Sequence, residues 1–246
     1  MGSARPFSLP PMFPWLDPDA DTASSRLRAV RDTSLPKLVR DDLLERILGG
    51  ELRPGDRISE PDVSARLSVS RVPVREALRE LESSGLVVSR KHAGVFVRRI
   101  EPEEVRDLYE MRALLDGFAG EKAAALPQAE RESLAQALRE STTTMADAVA
   151  SEGVRDYYTE NLRFHWLIVE AAGNLALRAS YRELVQKLHL SRLRSLSRGL
   201  AMRTSIQEHQ QIVQAIAAGD PAATRALLAR HVGDAHRRLS AEPVPA

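Results

Sequence analysis

Four side chains in the second half of the 246-residue chain have the types and spacing of a metal-ligand set. Asn161 and His165 are four residues apart, which puts them on one face of a helix. His209 and His231 lie midway along two later helical segments. If those two segments run antiparallel as neighbours, their imidazoles meet. Three imidazoles plus an oxygen ligand suit Zn²⁺, Ni²⁺ or Mn²⁺. A lone helical histidine is more often a core or surface residue, so the spacing gains force only from its context. A second set is cationic. Arg71, Arg75 and Arg79 recur every four residues as a guanidinium stripe on one helix. The planar fork of Arg grips guanine O6/N7 or a phosphate bidentately. Glu76, Glu80 and Glu82 lie nearby, so a solvated face of Arg–Glu pairs is the competing reading.

Composition bounds what these sets could serve. The formal net charge is +1, from 35 Lys+Arg against 34 Asp+Glu. That excludes a histone-like polycation and an acidic tail protein but not nucleic-acid binding, which depends on where charge sits. Residues 35–99 hold 13 basic and 10 acidic residues, a net of +3, and residues 100–246 hold 18 and 20, a net of −2. Cysteine is absent, which removes disulfides, Cys-zinc sites and Cys nucleophiles. The sequence shows no export signal and no membrane-length apolar run, so the expected location is cytoplasmic, with no membrane partner. Aromatics at 4% with abundant Ala, Leu and Arg favour helices over sheets.

The elements that must position the two sets follow from periodicity. Residues 1–34 carry five prolines before residue 20 and read as a flexible tail. Ser34 then caps a helix with Leu38, Val39, Leu43, Leu44, Ile47 and Leu48 on one stripe, stopped at Gly49-Gly50. Ser59 begins a short helix with Pro61 in its first turn and Val63 and Leu67 inward. After Ser68-Val69-Ser70 comes a helix burying Val74, Ala77, Leu78 and Leu81, the spacing of a helix-turn-helix. Leu86–Val88 and Val95–Val97 read as two strands around the basic tip Ser89–Gly94.

From Glu101 onward only helical patterns occur, so residues 100–240 read as an all-helical bundle of six or seven helices, followed by a tail at 241–246. The first helix shows Val105, Leu108, Met111, Leu115 and Phe118 on one side. The others are expected over about 128–150, 156–172, 174–197, from Ser205 to Gly219, and from Pro221 to about 239. The expected fold class is therefore mainly α: an N-terminal winged helix-turn-helix over 35–99 and a C-terminal helical bundle.

The run Ser70-Arg71-Val72-Pro73-Val74-Arg75-Glu76-Ala77-Leu78, then Leu81, Gly85-Leu86-Val87 and Gly94-Val95-Phe96-Val97, resembles the DNA-binding domain of GntR-family transcription regulators. The resemblance covers essentially all of residues 36–99. It implies that Arg71 and Arg75 contact operator DNA, that Ser70 touches the backbone, and that Lys91, His92 and Gly94 form the wing tip in the minor groove. Some members carry an Arg early in the second helix. Here that place is Pro61, and Arg66 is no assured substitute.

The segment Asn161-x-x-Phe164-His165, Ala171–Asn174, Glu208-His209, Gly219-Asp220 and His231 is similar to the FCD effector domain of the FadR-like branch. That resemblance implies a divalent metal held by Asn161, His165, His209 and His231, with Asn161 standing where an Asp is usual. An amide oxygen adds no negative charge, so weaker metal affinity or a different metal is expected. It also implies a small carboxylate effector facing the metal, with Arg112 directed at it. His189 and His236 fall outside the pattern and read as structural or surface residues. The implied function is a non-enzymatic, homodimeric repressor of double-stranded operator DNA that a carboxylate releases. A regulator sensing the metal itself, or a metal-dependent enzyme, are the alternatives.

Overall fold

The computed structural model describes residues 34–192 and 199–240. The expected tails at 1–34 and 241–246 and the helix end expected near 197 therefore lie almost wholly outside the described residues. The described residues form nine helices and one three-stranded sheet in two compact units.

The first unit holds residues 34–101 together with 186–192. Helix α1 (Leu35–Leu48) buries Val39, Leu43, Ile47 and Leu48. A two-residue strand β1 (Arg57–Ile58) follows, then α2 (Glu60–Leu67) and α3 (Arg71–Ser83). Ser59 caps α2 by accepting from the Asp62 backbone N–H at 3.4 Å. Ser68 takes a left-handed conformation at φ 53° and turns the chain from α2 into α3. Helix α3 buries Val74, Ala77, Leu78 and Leu81 against α1, at about 1.5–3 kcal/mol for each large side chain. Ser34 and Ser70 precede α1 and α3 without a side-chain capping bond.

Strands β2 (Val87–Arg90) and β3 (Gly94–Val97) form the expected hairpin. Its antiparallel register pairs Val88 with Phe96 and Arg90 with Gly94. β1 adds to the other edge of β3, giving the order β1-β3-β2. Arg90 lies over the Phe96 ring at 4.7 Å, and Glu82 accepts from the Ser89 N–H at 2.7 Å. The first contact lies within the hairpin, and the second ties it to α3. His189 and Leu190 belong to this unit as well. Leu190 joins its apolar core, and His189 Nε2 lies 2.8 Å from the Leu48 carbonyl oxygen.

The second unit is all helical. It comprises α4 (Pro102–Ala124), α5 (Gln128–Ala150), α6 (Val154–Ala171), most of α7 (Leu175–Arg192), α8 (Gly199–Ala218) and α9 (Pro221–Ser240). Helix α6 is the most buried, with Phe164, Trp166, Leu167, Ile168 and Val169 all enclosed. α8 begins six residues before Ser205, which is a buried residue within the helix and not its cap.

Helix α4 departs from the sequence expectation. It buries Tyr109, Arg112, Asp116, Gly117, Ala119, Gly120 and Ala123, while Met111 is 50% exposed. The reason is the partner surface. α4 packs most extensively on α9, and that approach needs small residues. A Cβ on Gly120 would run into Leu228 and Thr224, and one on Gly117 would sit 3.3 Å from the Arg225 backbone oxygen. The larger apolar residues are left on the flank of the helix.

Candidate metal centre and DNA-facing helix

Three helices of the bundle bring His165 (α6), His209 (α8) and His231 (α9) together. All three are buried, and one nitrogen from each lies within 4.8 Å of the others. The closest pair is His165 Nε2 and His209 Nε2 at 3.4 Å. Ring centroids are 5.3 Å (His165–His209), 5.2 Å (His165–His231) and 4.5 Å (His209–His231) apart. Phe164 closes one side, with its centroid 4.3 Å from the His209 ring.

Two carboxylates stand behind the rings. His165 Nδ1 lies 3.0 Å from Asp116 Oδ1, and His231 Nδ1 lies 2.6 Å from Glu208 Oε2. A carboxylate that accepts the Nδ1 proton leaves the Nε2 lone pair for a ligand, the arrangement typical of metal-bound histidines. Each carboxylate is held in turn. Asp116 accepts from Arg112 Nε at 3.1 Å and from the Tyr181 hydroxyl at 3.1 Å. Glu208 accepts both forks of Arg238, at 2.7 and 2.9 Å.

Burial holds the His165 ring down to about 4, with Arg112 adding to the depression against the pull of Asp116. Burial likewise keeps His209 well below the ordinary histidine range. Both are neutral imidazoles with lone pairs at physiological pH. Burial alone would raise the Asp116 carboxyl, but His165 and the Arg112 guanidinium outweigh it and hold it low. Burial also opposes ionisation of Glu208, and the bonds from His231 and Arg238 overcome it, to about 2.

The donor set fits a divalent cation. Nδ1 of His209 is buried with no hydrogen-bond partner among the described residues. If His209 carries its proton on Nδ1, that N–H is orphaned and its Nε2 lone pair faces the His165 lone pair. If the proton is on Nε2, Nδ1 is an orphaned acceptor. In the first tautomer the two Nε2 lone pairs face each other at 3.4 Å, and a cation between them would satisfy both. Tetrahedral bonds of about 2.0–2.1 Å separate ligand nitrogens by roughly 3.4 Å. The His165–His209 spacing matches this.

The expected residues thus distribute as follows. His165, His209 and His231 converge. Asn161 is buried one turn before His165 on α6. Arg112 is 3% exposed and one carboxylate removed from His165, so it is not a surface ion pair. His236 stacks on Tyr109 at 4.7 Å, and His189 serves the other unit. Sequence reasoning missed Asp116, Tyr181 and Arg238 and gave Glu208 no role. The available signals were the four-residue spacing of Arg112 and Asp116 and the adjacency of Glu208 to His209.

In the other unit, Ser70, Arg71, Arg75 and Arg79 are exposed along α3, opposite its apolar face. Arg75 Nε lies 2.7 Å from Glu60 Oε2. Lys91, His92 and Gly94 are exposed at the hairpin tip, where His92 (φ 61°) and Gly94 (φ 104°) make the turn. A Cβ at Gly94 would meet the Arg57 guanidinium at 3.1 Å. Arg66 is bonded to Asp42 of α1, so it is engaged away from α3.

Comparison with known proteins agrees with both halves. Residues 36–97 match the family described as bacterial regulatory proteins, gntR family, and residues 107–234 match the FCD domain. The chain is 31% identical over 212 residues to a protein of Paenarthrobacter nicotinovorans described as "Probable D-xylose utilization operon transcriptional repressor", covering 86% of this chain and 90% of that one. It is 30% identical to the HTH-type transcriptional regulator LutR of Bacillus subtilis, over 79% and 96% of the two chains. The crystal structure of a GntR regulator from Rhodococcus sp. RHA1 is similar in fold, with a TM-score of 0.70 and 27% identity over 86% of this chain and all of that one. No helix among the described residues is long and apolar enough to cross a membrane. With its winged helix-turn-helix and its helical C-terminal domain, the chain belongs to the GntR family of bacterial transcription regulators, in the FadR-like branch that carries an FCD domain.

Proposed function

We propose that the protein is a cytoplasmic, homodimeric repressor that binds operator DNA and is released by a small carboxylate metabolite sensed inside the FCD bundle. The observation that carries this reading is the buried histidine trio, with the His165 and His209 Nε2 atoms 3.4 Å apart, on a chain whose other unit exposes an arginine stripe. His165, His209 and His231 would hold a divalent metal (Zn, Ni or Mn), with Asn161 as the oxygen ligand. Such an ion supplies positive charge for a carboxylate. All four ligands are neutral, so the ion's charge is undiminished by them. Asp116 balances Arg112, which keeps the protein's own guanidinium from overcharging the pocket. A carboxylate entering beside Arg112 would share its remaining N–H donors.

On the DNA side, Arg71 and Arg75 would read base edges or phosphates, with Ser70 on the backbone. Lys91, His92 and Gly94 would enter the minor groove. A homodimer would place two α3 helices about one helical turn apart on a palindromic operator. Gel shift of the metal-loaded protein against a panel of carboxylates tests the reading. Release by a hydroxy acid, sugar acid or dicarboxylate is the expected result. Release by chelator alone, with no response to any carboxylate, would replace it with regulation by the metal itself. The family membership argues against a metal-dependent enzyme.

A further inference from the structure

The fixed charges around the histidine trio close in pairs and leave nothing over. A ligating imidazole is neutral, so the three rings bring no charge to a bound cation. The candidate ligand group among the described residues is His165, His209 and His231, with no carboxylate in it. The nearby acids are already matched. Asp116 stands behind His165 and pairs with Arg112 at 3.1 Å. Glu208 stands behind His231 and takes two nitrogens of Arg238, at 2.7 and 2.9 Å. Glu160, beside Asn161 in the chain, pairs with Arg163 at 2.7 Å. These acids and arginines sum to zero.

A divalent cation in the trio would therefore carry its whole double charge into a buried place. His165, His209 and His231 are 1%, 0% and 4% exposed, so bulk water offers no offset. A buried charge without a counter-charge is strongly unfavourable. One position could have supplied part of the compensation from within. Asn161 is buried on α6, four residues before His165 and so on the same face of the helix. Aspartate there would keep the shape and add one negative charge. With the amide, the counter-charge has to come with the ligand. A dicarboxylate brings two negative charges and matches a dication. A monocarboxylate leaves one positive charge buried.

We propose that Asn161 makes metal and effector binding mutually dependent and selects an effector with two negative charges, a dicarboxylate. The proposal rests on the reading that the trio holds a divalent metal facing a carboxylate, and it adds the charge that this carboxylate carries. Coupling between two ligands is reciprocal, so the factor by which the dicarboxylate raises metal affinity is the factor by which the metal raises dicarboxylate affinity. Aspartate at position 161 would weaken the coupling, since half of the compensation would then be built in.

Zn²⁺ affinity of the metal-stripped full chain tests it, read by competition with a chromophoric chelator and corrected for zinc held by the free anion. Malonate, succinate and malate are each compared with a monoamide, which keeps the shape and loses one charge. At least one dicarboxylate should raise zinc affinity about 100-fold, and its monoamide about ten-fold or less. Asn161→Asp, with unchanged helical circular dichroism, should bind zinc alone about ten-fold more tightly than wild type and show a dicarboxylate enhancement of only about ten-fold. The wild-type comparison stands by itself if that variant does not fold. Equal enhancement by each dicarboxylate and its monoamide overturns the proposal, as does zinc binding that no dicarboxylate strengthens, or an unchanged zinc affinity in folded Asn161→Asp. Each of these leaves the metal reading standing. A wild-type chain that binds none of Zn²⁺, Ni²⁺ and Mn²⁺ under any of these conditions overturns both.

Discussion

Asp116 Oδ1 and His165 Nδ1 are 3.0 Å apart at full burial, and this contact ties the bundle's most enclosed ion pair to its histidine trio. Asp116 serves Arg112, His165 and Tyr181 at once. Asp116→Asn keeps the shape and removes the charge. It should leave Arg112 buried without its counter-charge and destabilise the fold by about 3–5 kcal/mol, read from denaturant midpoints. It should also weaken metal binding about 10–100-fold, read by competition with a chromophoric chelator. A variant with wild-type metal affinity would show that His165 is oriented by other contacts.

The trio itself gives a direct count. His209→Ala combined with His231→Ala should abolish bound metal by elemental analysis, because one imidazole and one amide make a poor site. A full equivalent retained in that variant would place the metal elsewhere.

For DNA, Arg75→Ala should cost about 1–3 kcal/mol of specific operator binding if Arg75 reads a base, measured by fluorescence anisotropy at fixed salt. Glu60 holds Arg75 in this structure through an exposed contact, which is worth little. Glu60→Ala should therefore leave stability near wild type. Unchanged operator affinity in Arg75→Ala would remove that residue from the readout.

The metal-free protein should lose stability in a defined pH window. His165 stays neutral in the folded chain down to about 4, whereas an unfolded histidine takes up a proton near 6.5. The unfolded state thus binds more protons between those values, so stability should fall as pH drops from about 6.5 to about 4 and flatten below for this group. His209 acts in the same direction. Urea midpoints across that range provide the check, and metal-free His165→Gln should show a shallower slope.

Gly120→Ala should destabilise by about 1–3 kcal/mol, because its Cβ has no room against Leu228 on α9. Thermal melts of that variant beside Ala119→Gly separate crowding from helix propensity.

Much of this architecture was readable in the chain, and the failures have physical causes. The α3 face of Val74, Ala77, Leu78 and Leu81 follows helical period because it packs on an apolar neighbour. The histidines could be singled out because few other residue types do their chemistry. β1 was missed because two residues are too few to show alternation. The α4 face was misread because its interior carries Arg112 and Asp116 where a hydrophobicity pattern expects Leu. Asp116, Tyr181 and Arg238 were invisible because their roles depend on helices distant in sequence.

Glu208 and His209 are neighbours in the chain, yet one braces His231 while the other points its own ring at the same centre. Arg238, two turns beyond His231 on α9, clamps that same Glu208. The dipeptide therefore works as a register gauge between α8 and α9. A slip of either helix by a single residue would swing the brace and the ring away together, since successive helical positions are rotated by about 100°. The centre has no half-assembled state along that sliding coordinate, so these two helices should engage or part as one step.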